Sequence, residues 1–495
     1  MKLTKLALAM ASVIGAGLAT EALALDLYVD TKTQQIFAEP GKGRVKLGSF
    51  EKVGEASAQQ GNAELKAEIE QIKEDLALKN NELKALDEHM KVAEEVKVKM
   101  GKKGVEFESA DKDFKFRMGG RIHADASYSS GDDNLVSGAN HAEASDGTEI
   151  RRARIEMVGT FWKDWDFKSQ WDFGDNKVTT KDMYIQYSGI KDFHITAGQQ
   201  KQLFSRELYE SSNDLMFMER SLMNSLAEAT VDRAIGLSVA TAHKDWTGAV
   251  GIYGETVTPT TDTSVDEGWG ISSRWTFAPL NEKTHVVHLG ISGNYRDPNQ
   301  GNQVPEGGSK QAALTLASET SHMSNLKLIN TGGIANVAAI KMVGLEANYL
   351  NGPFTVGGEY SKMWVDRKTA SAGDSNLDFS AWYAEASYTL TGESRKYKKG
   401  KFYKLSPKQK FSLKNGTWGA WELAGRYSEA DLNSADITGG QMSLLTVALN
   451  WYINDNVRFM ADYNKTLDLS NSPITTVGGG DPNVDTFMLR GQLAF

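Results

Sequence analysis

The sequence predicts an all-β transmembrane barrel of about 16 antiparallel strands, preceded by a periplasmic α-helical coiled coil. Three observations predict this class: alternating apolar and polar residues from about residue 112 to residue 495, an export signal at the start, and connectors that alternate between short and long. The last run, FMLRGQLAF, puts Phe487, Leu489, Leu493 and Phe495 on one face, as a strand against lipid requires.

Composition sets the first limits on function. The chain has 495 residues, a formal net charge of −9 and no cysteine, which excludes disulfides and thiolate metal sites. The acidic balance argues against a nucleic-acid partner. We expect no cofactor and no metal site. We also expect no catalytic residues, because the eight histidines have no recognisable nucleophile context.

Residues 1–24 are predicted to be a signal peptide. Lys2 and Lys5 precede an apolar run of small residues, and Ala22-Leu23-Ala24 is a small-x-small cleavage site. Residues 25–60 are predicted to be a short periplasmic segment. Its β-like runs leave two interpretations open, a small β-unit or an extended linker, and we assign it no function.

Residues 61–104 are predicted to be a coiled-coil stalk, which the Gly101–Gly104 run ends. Apolar residues recur there at spacings of three and four, which is typical of a heptad seam. So narrow a stripe needs other copies of the chain to bury it, and the mixture of isoleucine and leucine leaves dimer and trimer open. The predicted seam consists of Leu65, Ile69, Ile72, Leu76, Leu83, Leu86 and Met90.

Residues 105–495 are predicted to be the outer-membrane barrel. An even number of strands puts both ends of the barrel in the periplasm, on the same side as the stalk. A soluble β-sandwich would not explain the loop asymmetry and the export signal together. The strands are predicted to begin near Lys112, Glu149, Trp165, Lys181, Asp192, Val231, Asp245, Glu267, Thr284, Ile340, Phe354, Asp378, Thr417, Gln441, Val457 and Asp485.

The strand arginines predict which face is the lumen. An arginine against lipid near the midplane costs about 2–4 kcal/mol, so the parity that carries arginine should face inward. Guanidinium forks match oxyanions, but acids such as Glu156 and Asp172 share this parity and leave a general charged lumen open. The predicted anion path consists of Arg117, Arg121, Arg152, Arg154, Arg274, Arg296, Arg426, Arg458 and Arg490.

Two connectors stand out. Residues 202–230 combine an apolar patch, Leu215–Met218, with the constriction candidates Arg206 and Arg220. This connector is expected to fold inward and narrow the pore, to pack against a neighbouring subunit, or to do both. Residues 393–414 hold nine basic residues against the single acid Glu393, which leaves an anion-attracting vestibule and a solvated basic loop open.

The chain resembles the phosphate-selective porin O/P family over about residues 112–495. The matching stretches are IRRARIEMVGTFWKDWDFKSQWDFG, SSNDLMFMERSL, GLEANYLNGPFTVGGEY, SYTLTGESRKY, GAWELAGRYSEADL and LNWYINDNVRFMADY. The resemblance implies a trimeric sixteen-stranded barrel, an inward-folded third loop, and lumen arginines and lysines that pass oxyanions. It also makes Lys201 a constriction candidate, because Lys201 matches a family lysine just before the third loop. The coiled coil departs from the best-known members and leaves the specific solute open.

These observations predict an outer-membrane porin for passive diffusion of small anions, with phosphate or other oxyanions as candidates. One alternative is a general or organic-solute porin without anion preference. Another is a stalked envelope-tethering structural protein. The expected partners are outer-membrane lipid, small anionic solutes and further copies of the chain in a homotrimer. The expected location is the outer membrane of a Gram-negative cell, with the coiled coil in the periplasm.

Overall fold

The computed structural model describes residues 25–33, 35–50, 55–132, 134–138, 140–257, 267–298, 312–367 and 376–495. The predicted signal peptide, 1–24, lies outside the described residues. The chain divides into two compact units, Met1–Ala93 and Glu94–Phe495, and each is described by itself.

The first unit contains a small antiparallel sheet of three strands: β1 (Leu25–Asp30), β2 (Ile36–Phe37) and β3 (Arg44–Phe50). β1 lies in the centre and pairs with both neighbours. Of the two interpretations that the sequence left open for this segment, the structure therefore shows a β-unit.

Helix α1 (Glu55–Glu95) follows the sheet and has 41 residues, a length of about 60 Å at 1.5 Å per residue. The side chains of Leu65 and Met90 lie outside the described residues. Within the described part of the chain, no helix is both long enough and apolar enough to cross a bilayer. The other seam residues are more than two-fifths exposed, which leaves an apolar stripe without a partner: Ile69, Ile72, Leu76, Leu83 and Leu86.

The helix ends earlier than the sequence pattern predicts. The stalk was expected to reach Gly104, but residues after Glu95 form a hairpin of β4 (Val96–Gly101) and β5 (Gly104–Ser109). Valine and methionine alternate with lysine in β4, and this period of two favours a strand over a helix. Gly104, at a φ of +91°, lies so close to the Met118 carbonyl that a side chain would not fit.

Sixteen antiparallel strands, β6–β21, form the closed barrel, which confirms the predicted fold class. Each strand pairs with the next along the chain, and the last pairs with the first to close the wall. The strands are Lys115–Gly131 (β6), Gly147–Phe161 (β7), Trp165–Asp172 (β8), Thr179–Tyr187 (β9), Phe193–Lys201 (β10), Arg233–Ala242 (β11), Trp246–Tyr253 (β12), Trp269–Asn281 (β13), His285–Asp297 (β14), Val337–Asn351 (β15), Phe354–Arg367 (β16), Leu377–Thr389 (β17), Ala420–Ser434 (β18), Ile437–Tyr452 (β19), Val457–Ser470 (β20) and Val484–Ala494 (β21).

The outer wall has the pattern of a membrane surface. Apolar side chains alternate outward along the strands, and exposed aromatic rings lie at both ends, as in the two aromatic girdles of outer-membrane barrels. The ring near the short turns includes Trp165, Trp246, Phe354 and Trp418, and the ring near the long connectors includes Tyr128, Trp269, Trp364 and Tyr463.

The long connectors lie at one end of the barrel and carry many of the buried apolar residues. They contain the short strands Leu135–Ser137, Asn140–Ala142, Ala312–Leu314, Ala317–Glu319, Lys327–Asn330, Ile334–Ala335 and Ile474–Thr476. The third loop, residues 202–232, contains helices α2 (Arg206–Tyr209) and α3 (Asn224–Val231). Side chains of four connectors form one apolar cluster with the upper wall, which includes Leu135, Leu226, Leu316, Leu328 and Ile474.

One connector at the short-turn end is long. This basic turn, residues 390–419, contains a hairpin of Lys396–Lys398 and Lys401–Tyr403. Together with the third loop, it determines how much of the lumen stays open.

Candidate functional site

The third loop folds into the barrel and lies against the inner wall. Between Asp214 and Glu219, five backbone carbonyls accept hydrogen bonds from inward-pointing side chains, which fix the path of the loop. The acceptor and donor pairs are Asp214 with Arg395 (3.0 Å), Leu215 with Arg458 (2.8 Å), Met216 with Asn450 (2.8 Å), Met218 with Arg490 (2.6 Å) and Glu219 with Arg426 (3.2 Å).

Arg206 anchors the start of this loop. Its guanidinium donates to the Glu385 carboxylate and to the Tyr383 hydroxyl, both at 2.6 Å. The backbone N–H groups of Arg206 and Glu207 donate to the two oxygens of Glu359 at 2.9 and 2.8 Å. Arg206 is 4% exposed, so the structure places this constriction candidate in a buried ion-pair network away from open space.

The basic turn enters the lumen from the opposite end and meets the third loop. The Gly400 carbonyl, at the tip of the hairpin, accepts from Arg274 on the wall at 3.0 Å. The Phe402 N–H donates to Glu210 of the third loop at 2.8 Å, and Arg395 pairs with Glu422 of the wall at 2.8 Å. The hairpin is thus an internal element, unlike either the vestibule or the solvated loop that the sequence suggested.

The two inserted segments leave a cavity of about 540 Å³ (the inner cavity) along the wall from β6 to β13. Its acidic lining consists of seven residues, whereas thirteen lining residues are basic, in a chain whose net charge is −9. The basic residues are Arg121, Arg151, Arg152, Arg154, Lys168, Lys177, Lys181, Lys201, Arg220, Arg233, Arg274, Lys399 and Lys401.

Some of these cations are neutralised by lumen acids. Arg154 pairs with Asp172 at 2.6 Å, and Lys168 and Arg233 share Asp182 at 2.7 Å each. Others form no ion pair with any carboxylate of the described residues. This unpaired group includes Arg121, Lys181, Lys201, Arg220 and Lys399.

Lys201 and Arg220 lie at the base of the third loop and both line the inner cavity. The Lys201 ammonium donates to the carbonyls of Leu208 at 2.6 Å and Glu210 at 2.8 Å. Arg220 donates to the carbonyl of Glu207 at 3.0 Å. Neutral carbonyls thus hold both side chains beside the inner cavity, and no carboxylate of the described residues forms an ion pair with either of them.

The predicted arginines separate into two groups. Arg121, Arg152, Arg154 and Arg274 line the inner cavity, although Arg274 is fully engaged by Glu346 at 2.6 and 2.7 Å. The remaining predicted arginines do not line it. Arg117 pairs with Glu156 (2.8 Å), Arg296 pairs with Glu255 (2.5 Å), and Arg426, Arg458 and Arg490 hold the third loop from behind.

Two of the lining cations were not predicted from strict alternation, because β-bulges turn their side chains toward the lumen. His123 faces Arg152 while the next residue, Ala124, faces Ile150, so Arg151 is the extra residue of a bulge and also lines the cavity. A second register shift between β8 and β9 brings Lys181 to the lumen. The adjacent arginines at 151 and 152 were the available signal in the sequence.

One group of described residues has donor atoms at metal-ligand spacing. Atoms of Glu149, Asp175 and His322 lie within 4.8 Å of one another. A hydrogen bond of 2.9 Å between His322 and Glu149 raises the pKa of this histidine. Because this contact already joins two of the three residues, we assign no metal to the group.

Comparison with known proteins agrees with this geometry. The chain is 29% identical over 423 residues to Porin O of Pseudomonas aeruginosa, covering 80% of this chain and 91% of that protein. It is 26% identical over 398 residues to an uncharacterized protein of Caulobacter vibrioides, covering 79% of this chain and 76% of that protein.

Solved porin structures are also similar. An anion-selective porin from Comamonas acidovorans matches with a TM-score of 0.48 and 12% identity, over 77% of this chain and all of that one. The outer-membrane channel DcaP of Acinetobacter baumannii matches with a TM-score of 0.45 and 11% identity, over 79% of this chain and 99% of that one.

The family described as phosphate-selective porin O and P matches residues 116–495, which is nearly the whole barrel. With its closed barrel of sixteen strands and its inserted third loop, the chain belongs to this family of outer-membrane porins.

Proposed function

We propose that the chain is an outer-membrane porin that passes small anions passively, phosphate and related oxyanions among them. The observation that carries this proposal is the group of lumen cations without carboxylate partners, which includes Arg121, Lys181 and Lys201. Membership of the family and the similarity to Porin O support the same class of solute.

Elementary electrostatics gives this group its effect. Two unit charges 4 Å apart interact by about 1 kcal/mol in bulk water and by about 4 kcal/mol at the effective dielectric of about 20 near protein. Because two inserted segments narrow the lumen, an anion passes close to the protein and meets the stronger field. The barrier to an anion therefore falls and the barrier to a cation rises.

The strand register supports a functional origin of the positive charge. Arg121 lies directly opposite Arg154, and Lys201 lies directly opposite Arg233. Like charges opposite each other destabilise a sheet. A wall selected only for stability would alternate the signs, so these pairs favour a role in conduction.

The basic side chains also mark a continuous route. At the loop end, an outer cavity of about 270 Å³ shares Arg151, Arg152 and Arg220 with the inner cavity. At the other end, Lys399 and Lys401 on the hairpin tip line the inner cavity. An anion would thus pass from one basic group to the next along the lumen.

The paired charges favour the alternative of a general porin. Asp172 and Asp182 neutralise three basic residues of the inner cavity, and paired charges cancel at distance. The general porin and the anion pathway predict different effects of phosphate on the channel. A general lumen passes phosphate without binding it, whereas an anion pathway binds phosphate and slows chloride.

The experiment is a phosphate titration of chloride current through the purified porin in a planar bilayer. We expect phosphate to reduce the current with a saturating dose dependence. Lys181→Gln should raise the half-blocking concentration about threefold to tenfold, because one charged contact is lost. The control is Lys414→Gln, an exposed lysine of the basic turn outside the cavity. Chloride current that is insensitive to phosphate would favour the general porin.

We also propose that the porin is a homotrimer whose helix α1 forms a periplasmic stalk. The exposed apolar stripe of α1 supports self-association. The barrel wall supports it as well, because strands β8–β12 have only 8 to 10 residues. At about 3.3 Å per residue and a tilt of about 45°, the shortest span less than the membrane's apolar band of about 25 Å. A neighbouring subunit would cover this low wall.

A further inference from the structure

Three guanidinium groups converge on one carboxylate where the outer and inner cavities meet. Arg151, Arg152 and Arg490 (the three-arginine cluster) all donate to Glu219 of the third loop. Arg151 and Arg152 line both cavities, and Glu219 lines the outer one. The Glu219 side chain is 26% exposed, so a solute in the outer cavity can reach the cluster.

The contacts have the geometry of an oxyanion site. Glu219 Oε1 accepts from Arg151 Nε at 3.1 Å, from Arg152 Nη1 at 3.3 Å and from Arg490 Nη2 at 2.8 Å. Oε2 accepts from Arg151 Nη2 at 3.2 Å and from Arg152 Nη2 at 3.4 Å. Arg151 and Arg152 thus each bind the carboxylate through a pair of N–H groups. Such a guanidinium fork recognises both carboxylates and phosphates.

The loop backbone does not depend on this carboxylate. The Met218 N–H donates to Asp462 at 2.7 Å, and the Met218 carbonyl accepts from Arg490 Nη1 at 2.6 Å. The Glu219 carbonyl accepts from Arg426 at 3.2 Å. The side chain of Glu219 can therefore leave the arginines while the loop stays in place.

The charges leave the cluster able to attract a second anion. Arg490 has its own bidentate partner in Asp125, at 2.7 and 2.6 Å, so Arg151 and Arg152 share the single charge of Glu219. Burial acts to raise the pKa of Glu219, but the three guanidinium groups hold this pKa well below its usual range. Glu219 is consequently an anion throughout the neutral range.

We propose that the three-arginine cluster is an oxyanion-binding subsite and that Glu219 is its tethered competitor. A solute with two coplanar oxygens, a carboxylate or a phosphate, displaces Glu219 and takes over its donors before entering the inner cavity. Chloride cannot replace both oxygens and passes without displacing the side chain. The inference deepens the proposed anion pathway and rests on it, and it makes Glu219 a residue that determines solute specificity.

The test is Glu219→Gln, with acetate and phosphate titrated separately against chloride current in planar bilayers. Glutamine keeps the size of the side chain and loses the charge that competes. The half-blocking concentration of the bound solute should fall about tenfold, which corresponds to about 1.4 kcal/mol. A gain in either titration supports the subsite, and the larger gain identifies carboxylate or phosphate as the solute class.

Glu228→Gln is the matched control. Glu228 lines the outer cavity, as Glu219 does, and also the inner one; it carries the same charge but hydrogen-bonds Asn224 instead of an arginine. An equal gain in both variants would mean that net charge alone acts, and an unchanged Glu219→Gln channel would mean that nothing competes; either result overturns the subsite. Adding Arg151→Gln to Glu219→Gln should abolish the gain, and a gain that persists also overturns it.

Two further measurements separate the possible failures. Glu219→Asp keeps the charge and withdraws the carboxylate by one methylene, so its gain should be smaller than that of Glu219→Gln if folding is intact in both. Heat-modifiable migration in detergent checks folding. A cation-selective wild-type channel would contradict the proposed function, whereas equal gains in Glu219→Gln and Glu228→Gln contradict only the subsite.

Discussion

The lumen arginines have two roles, and the hydrogen-bond partners of each arginine determine which role it has. Arg458 is 1% exposed and donates to the Leu215 carbonyl of the third loop and to Gln492 of the wall, so its guanidinium holds the third loop against the wall. Among the described residues, Arg121 donates only to the hydroxyls of Ser211 and Ser212, and it faces the inner cavity. The same residue type on the same face of a strand thus has a structural role in one half of the wall and lines open space in the other.

This division predicts distinct effects of two single substitutions. Lys201→Gln should raise the half-blocking concentration of phosphate about threefold to tenfold while chloride conductance changes little, because glutamine still donates to the loop carbonyls but has no charge. Arg458→Gln should lower the temperature at which the barrel unfolds in detergent without that loss of phosphate block. Bilayer currents and heat-modifiable migration measure the two effects, and equal phosphate block in Lys201→Gln and wild type would contradict the first.

Sequence parity located most of these residues and could not assign their roles. Lipid outside the barrel imposes the alternation, so Arg121, Arg152 and Arg154 could be placed on the inner face from the sequence. Whether an inward-facing arginine is available to a solute depends on its contacts with residues that are hundreds of positions away in the sequence, such as the contact of Arg490 with Met218. Arg151 and Lys181 were not predicted from the sequence, because a bulge shifts by one residue which side chains face inward.

At the scale of elements, the width of the open lumen depends on two segments, which enter the barrel from opposite ends. The third loop and the hairpin of the basic turn meet through the Glu210 carboxylate, which accepts from the Phe402 N–H. The Lys401 ammonium lies 3.7 Å from the centre of the Tyr209 ring, a favourable cation–π contact. The hairpin therefore supports the loop and supplies charge to the narrow region.

Replacing Lys396–Tyr403 with a two-residue Gly-Ser turn should widen the pore. Single-channel conductance should rise about twofold or more, and phosphate block should weaken because Lys399 and Lys401 leave the lumen with the hairpin. The control is removal of the exposed glycines 478–480, which lie in a loop outside the inner cavity. Unchanged conductance in the hairpin variant would show that this element does not narrow the pore.

The strands were predictable from the sequence because the alternation of apolar and polar residues within each strand reflects the surroundings of its two faces. The predicted starts lie within four residues of the observed ones, for example Trp165, Phe354 and Val457 without any shift. The inserted hairpin was not predictable, because its lysines look like those of a solvated loop until Arg274 and Glu210 are seen to hold its backbone. The short hairpin Val96–Ser109 was missed because its alternation directly follows a helix.

At the scale of the whole molecule, we propose that the barrel conducts the solute and that helix α1 holds the copies of the chain together. The proposed trimer predicts that a charge in the seam will weaken the oligomer. In the full-length chain, Ile72→Lys with Leu76→Lys should lower the temperature at which the detergent-solubilised oligomer dissociates. Glu74→Lys, between the seam positions, is the control. Equal dissociation temperatures in electrophoresis of unheated and progressively heated samples would argue against the stalk.

The reversal potential of the purified wild-type porin in a planar bilayer with a potassium chloride gradient tests anion passage most directly. The unpaired lumen cations predict a sign that corresponds to chloride as the more permeant ion. Neutralising Arg152 and Arg154 together should move the potential toward cation selectivity. The shift should shrink as the salt approaches 1 M, where the screening length is about 3 Å. A wild-type channel with the cation-selective sign, or one whose reversal potential does not move in the double variant, would contradict the proposed anion pathway.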